Sequence, residues 1–414
     1  MSFRKATVAG AGLAGLSAAV ALTRAGVPVT LADGAAQGGG RCRSYRDPQL
    51  GLVIDNGNHL VLSGNEAVNR FRTTVGAPAG TLVGPDEAAF AFADLASGER
   101  WTVRINDGPV PWWVAAPSRR VPGSRLADYL PLARLLGRRD ERIDARVPTT
   151  VPVWERLLDP VLLAVLNTAP AEGSAALAGA VLRETIGRGG RAMRPRIAHP
   201  SLAAAFVDPA LGWLEGQGCK ATLGRRLRAL GVDGDRVASL DWGAGPEPVA
   251  ANEAVVLALP AWVAASLVPG LTVPDEHRAI VNGHFALPAP TDAPTMLGLL
   301  GGTAEWVFGF PDRISVTVSA ADRLVDTDRE GLARTFWQDI QRAYGIDAPL
   351  PAWQIVKEKR ATFAATPAQN AKRPPARTRW RNLFLAGDWT QTGLPATIEG
   401  ALRSGETAAA LVLG

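Results

Sequence analysis

The chain has 414 residues, with 44 lysines and arginines against 39 aspartates and glutamates, for a formal net charge of +5. This length is enough for two or three domains with a large core. The basic excess is small and unclustered, so no nucleic acid is expected as a partner. The two cysteines have no CxxC spacing and the four histidines form no cluster, which excludes a disulfide framework and a thiolate metal site and fits a reducing cytoplasm.

The first pattern that predicts a function is a glycine loop between a strand and a helix. After an apolar strand at residues 6–9, Gly10, Gly12 and Gly15 follow the G-x-G-x-x-G spacing, and residues 16–24 are predicted as a helix. Gly10 permits a tight turn, Gly12 lets the backbone approach a pyrophosphate, and Gly15 lets the helix lie close to the strand. The phosphate then lies at the positive end of the helix. This order predicts a dinucleotide-binding fold.

Two further features of the N-terminal segment fit a bound dinucleotide. A second predicted strand, residues 27–32, ends at Asp33, which lies 23 residues after Gly10. A spacing of about 20 is typical of an acid that binds a ribose hydroxyl. Residues 37–44 form a second glycine-rich loop, in which backbone amides and the guanidinium of Arg41 can bind phosphate oxygens. A flexible surface loop is the alternative interpretation of this second segment.

Residues 55–59, Asp-Asn-Gly-Asn-His, place a cluster of polar side chains at the end of a predicted strand. Such a cluster is either a turn or the wall of a site. Further along, an apolar helix is predicted to end in polar groups at residues 166–168. Both segments are therefore candidates for lining a site.

The regular alternation of strands and helices is lost between about residues 75 and 201. This part contains the pair Trp112 and Trp113, followed by an arginine-rich segment with interspersed leucines at residues 119–146. An exposed tryptophan pair beside such a segment predicts docking of residues 110–146 on an anionic lipid surface. A solvated helix face whose leucines point into the core fits the same composition, so both interpretations stay open.

In the second half of the chain, residues 216–221 imitate a dinucleotide fingerprint, but no strand precedes them. They are instead predicted to open a helix over residues 222–230. The uncharged run at residues 254–273 is interrupted by two prolines and is not expected to span a membrane. Further predicted elements are strands at residues 235–242, 255–259, 306–310 and 314–318 and a helix at about residues 330–344.

The chain closes with a buried strand that ends at Gly387 and Asp388, and then with a helix that starts after Pro395 and is capped by Thr397. The positive end of this helix makes a second position that favours an anion. The predicted fold class is therefore α/β, with a Rossmann-type nucleotide-binding domain and an inserted mixed α+β substrate-binding domain. The predicted segments are residues 1–75, 205–270 and 380–414 for the first domain and residues 76–204 and 271–379 for the second.

These motifs resemble those of the amine oxidase and phytoene desaturase superfamily of FAD enzymes, which have a glutathione-reductase-like flavoprotein fold. Within that superfamily, residues 55–59, 166–168, 358–363 and 387–395 resemble the hydroxysqualene dehydroxylase family, the squalene-associated FAD-dependent desaturases of bacterial hopanoid pathways. The resemblance covers essentially the full length. Asn58 departs from the family pattern, in which a glutamine is expected; the shorter amide should alter reach but not chemistry.

The resemblance implies that FAD is bound and that the hydroxyl of hydroxysqualene is removed to give squalene. Because no cysteine falls in the terminal motif, the FAD is expected to be non-covalent. The cofactor roles implied by matching motifs are the pyrophosphate for Gly10, Gly12, Gly15 and Arg41, the adenosine ribose for Asp33, the adenine for the backbone of Val237, the ribityl chain for Asp388 and the isoalloxazine ring for Ile398. Further expected cofactor contacts are Ala14, Gly40, Gly387 and Thr397.

Loss of the substrate hydroxyl requires a general acid, because hydroxide is a poor leaving group. His59 is the predicted acid, and Asp55, four residues earlier, is predicted to fix its orientation. Asn167 and Arg360 are further candidates for positioning the hydroxyl. Alternatively, Asp55 only caps a turn and His59 only lines the pocket.

The expected partners are a hydrophobic C30 isoprenoid substrate in a long apolar tunnel, an external electron donor, and the inner face of the cytoplasmic membrane as a peripheral contact. Other functions fit parts of the pattern: an oxidative carotenoid desaturase or amine oxidase of the same superfamily, a non-catalytic prenyl-binding escort protein, and an NAD dehydrogenase. The intact glycine loop and Asp33 argue against the escort protein. The terminal motif at Gly387 and Asp388 disfavours the dehydrogenase.

Overall fold

The computed structural model describes residues 3–137 and 139–414. The strands in chain order are β1 (Lys5–Ala9), β2 (Val29–Ala32), β3 (Ser44–Arg46), β4 (Val53–Asp55), β5 (Leu60–Leu62), β6 (Leu82–Val83), β7 (Ala88–Asp94), β8 (Arg100–Ile105), β9 (Pro195–Ala198), β10 (Ala229–Asp233), β11 (Arg236–Asp241), β12 (Pro246–Pro248), β13 (Glu253–Leu257), β14 (His277–Phe285), β15 (Met296–Leu300), β16 (Trp306–Gly309), β17 (Ile314–Val318), β18 (Trp353–Phe363) and β19 (Leu383–Leu385). The α-helices are α1 (Leu13–Arg24), α2 (Glu66–Thr74), α3 (Asp159–Leu166), α4 (Ala175–Glu184), α5 (Asp208–Gly216), α6 (Ala261–Leu267), α7 (Arg329–Tyr344), α8 (Pro367–Ala371) and α9 (Ile398–Leu413).

A four-stranded parallel sheet with the order β19-β13-β1-β2 forms the predicted nucleotide-binding part. Val8 of β1 and Val256 of β13 are completely buried, as expected for a parallel sheet that is covered on both faces. α1 and α9 pack against each other, and the hydroxyl of Ser17 donates to the carbonyl of Leu402 at 2.8 Å. The strands of this sheet come from near the start, the middle and the end of the chain.

A seven-stranded mixed sheet with the order β18-β14-β17-β16-β15-β7-β8 forms the inserted part. Its neighbouring strands are antiparallel except for the pair β15 and β7. Strand β17 has the predicted bounds and is buried along its whole length. Helix α7 begins where the Asp328 carboxylate accepts from the N–H of Gly331 at 2.7 Å, and it packs Phe336 and Ile340 into the core beside this sheet.

The predicted helix over residues 222–230 is wrong. The N–H of Thr222 donates to the carbonyl of Leu31 at 2.8 Å, so this residue extends the edge of the parallel sheet instead. The chain then turns at Gly224, with a φ of +74°, and continues into β10. The open edge of β2 offers backbone groups that require partners, and satisfying them outweighs a weak helix propensity.

The predicted exposed tryptophan pair is wrong for one of its members. Trp112 is 52% exposed, whereas Trp113 is 2% exposed and packs edge-to-face on Tyr129 with the ring centroids 5.4 Å apart. Both tryptophans lie in a short 3₁₀ helix, Trp112–Ala115, in which successive side chains point in different directions. In the part of the chain that the structure describes, no helix is long and apolar enough to cross a membrane.

Candidate active site

Two glycine loops meet beyond the carboxyl ends of β1 and β2. Gly10 has a φ of +110°, and a Cβ there would overlap the carbonyl of Ala258. A Cβ on Gly15 would overlap the carbonyl of Gly10. These two glycines are therefore required by close packing of the backbone, as the motif predicts.

Gly12 and Gly40 lie next to each other where the two loops meet. The N–H of Gly39 donates to the carbonyl of Ala11 at 2.8 Å, which joins the two loops. The nearest atom to a Cβ built on Gly12 is the Cα of Gly40, at 4.0 Å. Protein packing thus leaves room at Gly12, and α1 begins at the next residue. The open side of these loops is a cradle where backbone amides and a helix N-terminus can approach a phosphate.

Asp33 braces this cradle. Its Oδ2 accepts from the N–H of Ala11 at 2.6 Å, and its Oδ1 accepts from the N–H of Ala35 at 2.7 Å. The side chain is half-buried, and a carboxylate has about four acceptor positions, so acceptor capacity remains for a ribose hydroxyl. Ala14, in the first turn of α1, lies buried next to the loop.

The structure argues against the predicted contact between adenine and the backbone of Val237. Its N–H donates to Oδ1 of Asn382 at 2.9 Å, and its carbonyl accepts from Nδ2 of the same side chain at 3.0 Å. The N–H and carbonyl that were assigned to adenine are thus both hydrogen-bonded to a side chain 145 residues further along the chain. The segment at Arg225 lies beside Asp33, the predicted ribose ligand, because the N–H of Arg225 donates to the carbonyl of Asp33 at 2.8 Å.

Arg41 connects the second glycine loop to the end of the chain. Its guanidinium donates to the carbonyl of Ala361 at 2.5 Å and to Oδ1 of Asp388 at 2.7 Å. Burial alone would lower the pKa of Arg41, but the Asp388 carboxylate outweighs it, and the pKa lies above its ordinary value. The side chain of Arg41 is 42% exposed, so its guanidinium remains accessible to an anion.

The terminal motif has the predicted helix cap. The hydroxyl of Thr397 accepts from the N–H of Gly400 at 3.0 Å, and α9 starts at Ile398. Gly387 has a φ of +153°, and its N–H donates to the hydroxyl of Ser404 at 2.8 Å. This bond ties the end of β19, and with it the segment that carries Asp388, to the second turn of α9.

Arg373 is a site residue that the sequence did not indicate. Its guanidinium is almost fully buried and donates to the carbonyl of Asp388 at 2.9 Å and to the hydroxyl of Thr392 at 2.7 Å. It also lies over the ring of Phe363 at 4.9 Å. Burial lowers the pKa of Arg373 to about 10, against the raising effect of Asp388. No sequence motif distinguishes Arg373 from the other arginines of this chain.

Asp55 does not orient His59, contrary to the prediction. Its Oδ1 accepts from the hydroxyl of Ser44 at 2.5 Å and from the N–H of Leu202 at 2.9 Å. Its carbonyl lies 3.1 Å from Nε2 of His284, and because a carbonyl only accepts, this nitrogen carries the proton. Burial raises the pKa of the Asp55 carboxyl to about 6. Asp55 therefore anchors the base of the loop, as the alternative interpretation has it.

His59 nevertheless faces the Arg41 and Asp388 pair. Burial, and next the charge of Arg41, lower the pKa of His59 to about 4, against the opposing effect of Asp388. Among the described residues, its ring makes no hydrogen bond. The ring is therefore neutral near pH 7, and both of its nitrogens are available to a bound molecule.

Asn282 of β14 braces the loop that carries His59, and the sequence did not indicate this residue either. Its Oδ1 lies 3.4 Å from the N–H of Asn58 and accepts from the hydroxyl of Thr317 at 2.8 Å. Its Nδ2 lies 3.4 Å from the carbonyl of Asn56. The amide of Asn58 donates in turn to Thr317 at 3.1 Å, and its buried Oδ1 has no partner among the described residues.

The two remaining catalytic candidates have different surroundings. Asn167 ends α3 in the left-handed conformation, with a φ of 48°, and its Oδ1 accepts from the N–H of Ala320 at 2.6 Å. Its Nδ2 donates to Thr362 at 2.9 Å, so this buried amide joins segments and is not free to position a substrate. Arg360 is exposed and lies over the ring of Trp262 at 4.9 Å, at the edge of the site.

A parallel sheet with two facing glycine loops, an acid after the second strand and an inserted mixed sheet defines a nucleotide-dependent oxidoreductase of two parts. The chain belongs to the flavin-containing amine oxidoreductase family, whose model matches residues 13–413. It is 53% identical to a hydroxysqualene dehydroxylase of Rhodopseudomonas palustris, over 98% of this chain and 97% of the relative. It is 49% identical to one of Zymomonas mobilis, over 98% of each chain.

Solved structures agree on the fold. A Methanosarcina mazei oxidoreductase matches with a TM-score of 0.75 at 16% identity, over 97% of this chain and 98% of that one. A cyclohexylamine oxidase from Brevibacterium oxydans matches with a TM-score of 0.73 at 15% identity, over 99% of each chain. The predicted α/β flavoprotein fold, the family and the class of flavin-dependent oxidoreductase are thereby confirmed.

Proposed function

We propose that the protein catalyses the reductive dehydroxylation of hydroxysqualene to squalene with non-covalently bound FAD. The observation that carries the proposal is the identity of 49–53% to relatives named hydroxysqualene dehydroxylase over almost the full length of both chains. The geometry of the site supports it, because the second glycine loop, the terminal motif and the loop of His59 converge around Arg41.

The donor set fits FAD. The cradle at Gly12 and Gly40 would hold the pyrophosphate together with Arg41, and Asp33 would hold the adenosine ribose. A mononucleotide flavin has neither a pyrophosphate nor an adenosine, so the cradle and Asp33 would have no role in binding it. Cys42 is buried next to Arg41, and burial raises the pKa of its thiol to about 12. A thiol that stays protonated is a poor nucleophile, which supports a non-covalent cofactor.

The substrate is a secondary allylic alcohol whose C–O bond breaks when the hydroxyl is protonated and leaves as water. The hydride that the allylic carbon needs would come from reduced flavin when it is bound. We assign the proton to the imidazolium form of His59, whose ring makes no hydrogen bond among the described residues. Burial and the charge of Arg41 disfavour this form, whereas Asp388 and an anion bound to Arg41 would favour it. The Oδ1 of Asn58, which has no partner within residues 3–137 and 139–414, lies in the same loop and would accept a hydrogen bond from the substrate hydroxyl.

The flavin would be reduced by an external donor, because the described residues contain one parallel nucleotide-binding sheet. A cleft of about 390 Å³ beside β7 and β9 contains none of the predicted site residues, so the tunnel for a C30 chain stays a prediction. We place the enzyme in the cytoplasm, which the unpaired cysteines Cys42 and Cys219 support.

The test is anaerobic incubation of the purified, chemically reduced protein with hydroxysqualene. One squalene should form for each flavin reoxidised. The His59→Gln variant should keep its flavin and lose most turnover, whereas the control His199→Gln should keep both. A colourless protein that binds the lipid would instead indicate an escort protein, and reduction of the oxidised flavin by an amine or a carotenoid precursor would indicate an oxidative enzyme.

A further inference from the structure

Exposed large apolar side chains are concentrated in one short stretch of the chain. Five of the eleven that are well exposed in the described residues fall within residues 110–136, and the other six are scattered. We call this cluster the leucine-tryptophan face; its members are Val110, Trp112, Leu126, Leu130 and Leu136. Leu130 is 68% exposed. Such clustering marks an interaction surface, whereas single exposed leucines do not.

A buried aromatic contact fixes the two halves of this face to each other. Trp113, adjacent to Trp112, packs on Tyr129, adjacent to Leu130. The hydroxyl of Tyr129 accepts from the N–H of Val121 at 3.1 Å. Because the neighbours of the exposed residues are buried in this way, the leucine-tryptophan face is presented by an ordered scaffold, the 3₁₀ helix Leu126–Leu136 and the turn before it.

The charges around the face have one dominant sign. Arg119 lies over the ring of Trp112 at 4.9 Å. Arg125, Arg134 and Arg139 are exposed, and none has an ion-pair partner among the described residues. Asp128 is the one acidic residue between residues 110 and 139, and its carboxylate accepts from the backbone N–H of Arg125. Apolar side chains among unpaired arginines complement a surface that is apolar inside and anionic at its rim.

We propose that the leucine-tryptophan face docks on the surface of an anionic lipid bilayer. Trp112, Leu126 and Leu130 enter the interface between headgroups and acyl chains, and the exposed arginines bind lipid phosphates. A tryptophan suits that depth, because its ring is apolar and its N–H is polar. A second copy of this chain is disfavoured as the occupant, since the unpaired arginines of two copies would repel each other. This inference does not depend on the identity of the substrate.

The test is flotation of the purified full-length protein with vesicles of phosphatidylcholine, with and without phosphatidylglycerol. Binding should require the anionic lipid and weaken as salt increases. The double variant Leu126→Ala, Leu130→Ala should bind at least about tenfold more weakly, because roughly 0.8 kcal/mol is lost for each buried methylene. Replacement of Arg125 or Arg134 by Gln should cost about fivefold each, equivalent to about 1 kcal/mol. The control Val232→Ala, which removes an exposed apolar residue of β10, should bind normally.

All variants should keep the melting temperature of the parent protein and its turnover of detergent-solubilised substrate, so a failure of docking is distinguishable from a failure of the proposed function. Equal binding by the double variant and the parent would overturn the proposal. So would a parent protein that is dimeric by light scattering and becomes monomeric in the double variant, because the face would then bind a second copy.

Discussion

Replacing Gly12 by alanine tests whether the cradle holds a pyrophosphate without disturbing the fold. Gly12 has a φ of −73° and a ψ of 175°, which any L-residue adopts, and an added Cβ would meet only the Cα of Gly40, at 4.0 Å. Alanine restricts the unfolded chain and so stabilises by about 0.4–1 kcal/mol. It is also a poorer helix N-cap than glycine, at a cost of up to about 1 kcal/mol. The two terms nearly cancel, so we expect a melting temperature within a few degrees of the parent.

Flavin binding should respond very differently. The methyl group of Gly12→Ala would project into the space where a phosphate must approach the backbone, and we expect the flavin content of the purified protein to fall at least about tenfold, or about 1.4 kcal/mol. Gly15→Ala should lose both flavin and stability, because its Cβ would overlap the carbonyl of Gly10. Gly212→Ala is the matched control: this exposed glycine of α5 has no neighbour within 4 Å, and alanine should stabilise the helix by about 0.5–1 kcal/mol.

The assay is the ratio of flavin to protein by visible absorbance, together with melting curves in the presence and absence of added FAD. FAD should raise the melting temperature of the parent and of Gly212→Ala, but not that of Gly12→Ala. If Gly12→Ala kept the flavin content of the parent, the pyrophosphate would have to bind elsewhere, and the assignment of the two loops would be wrong.

Two further predictions concern the effect of buried titratable side chains, His284 and Glu399, on the free energy of unfolding. Burial, and next the charge of Arg313, lower the pKa of His284 to about 3. The buried neutral ring of His284 therefore contributes to the free energy of unfolding in full above pH 6.5. As the pH falls from 6.5 towards 3, this contribution is lost by at most about 1.4 kcal/mol per pH unit. The raised pKa of Asp55 opposes this loss below about pH 6, and His284→Gln should flatten the dependence of the melting temperature on pH. The carboxylate of Glu399 accepts from the first N–H groups of α2 at 3.0 Å, so Glu399→Gln should cost about 1.5–3 kcal/mol in thermal unfolding. The surface control Glu406→Gln should cost under about 0.5 kcal/mol, and an equal loss in both variants would contradict the role of the buried bond.

The sequence predicts the elements well where the signal is local. Strand β17 and helix α7 lie where the sequence predicts a strand and a helix, and Thr397 caps α9 as predicted. The glycine spacing predicts the first loop because Gly10 and Gly15 are constrained by atoms of the same turn and the strand beside it. These features depend on residues close in the chain, or on the strand, glycine loop and helix unit that recurs among dinucleotide-binding proteins. They can therefore be predicted without a structure.

The errors concern contacts between distant segments. The four-residue spacing predicts that Asp55 orients His59, but its carboxylate instead accepts from the hydroxyl of Ser44 and from the N–H of Leu202, 147 residues away. The backbone of Val237 was assigned to adenine, but Asn382 binds it. Which partner satisfies a buried polar group depends on tertiary packing, and several candidates in one chain have the same chemistry. Spacing in the sequence does not discriminate among them.

These distant contacts also explain how His59 is held. Asp55, Asn56 and Asn58, in the same loop, are bound to partners in the inserted sheet, which include Asn282 and His284. The loop that follows β4 is thus positioned by the seven-stranded sheet. The ring of His59 has no hydrogen-bond partner among the described residues, and the charges of Arg41 and Asp388 act on it. Displacement of the inserted sheet would therefore move the proposed proton donor relative to the cofactor cradle, so the two parts must pack together before the site is complete.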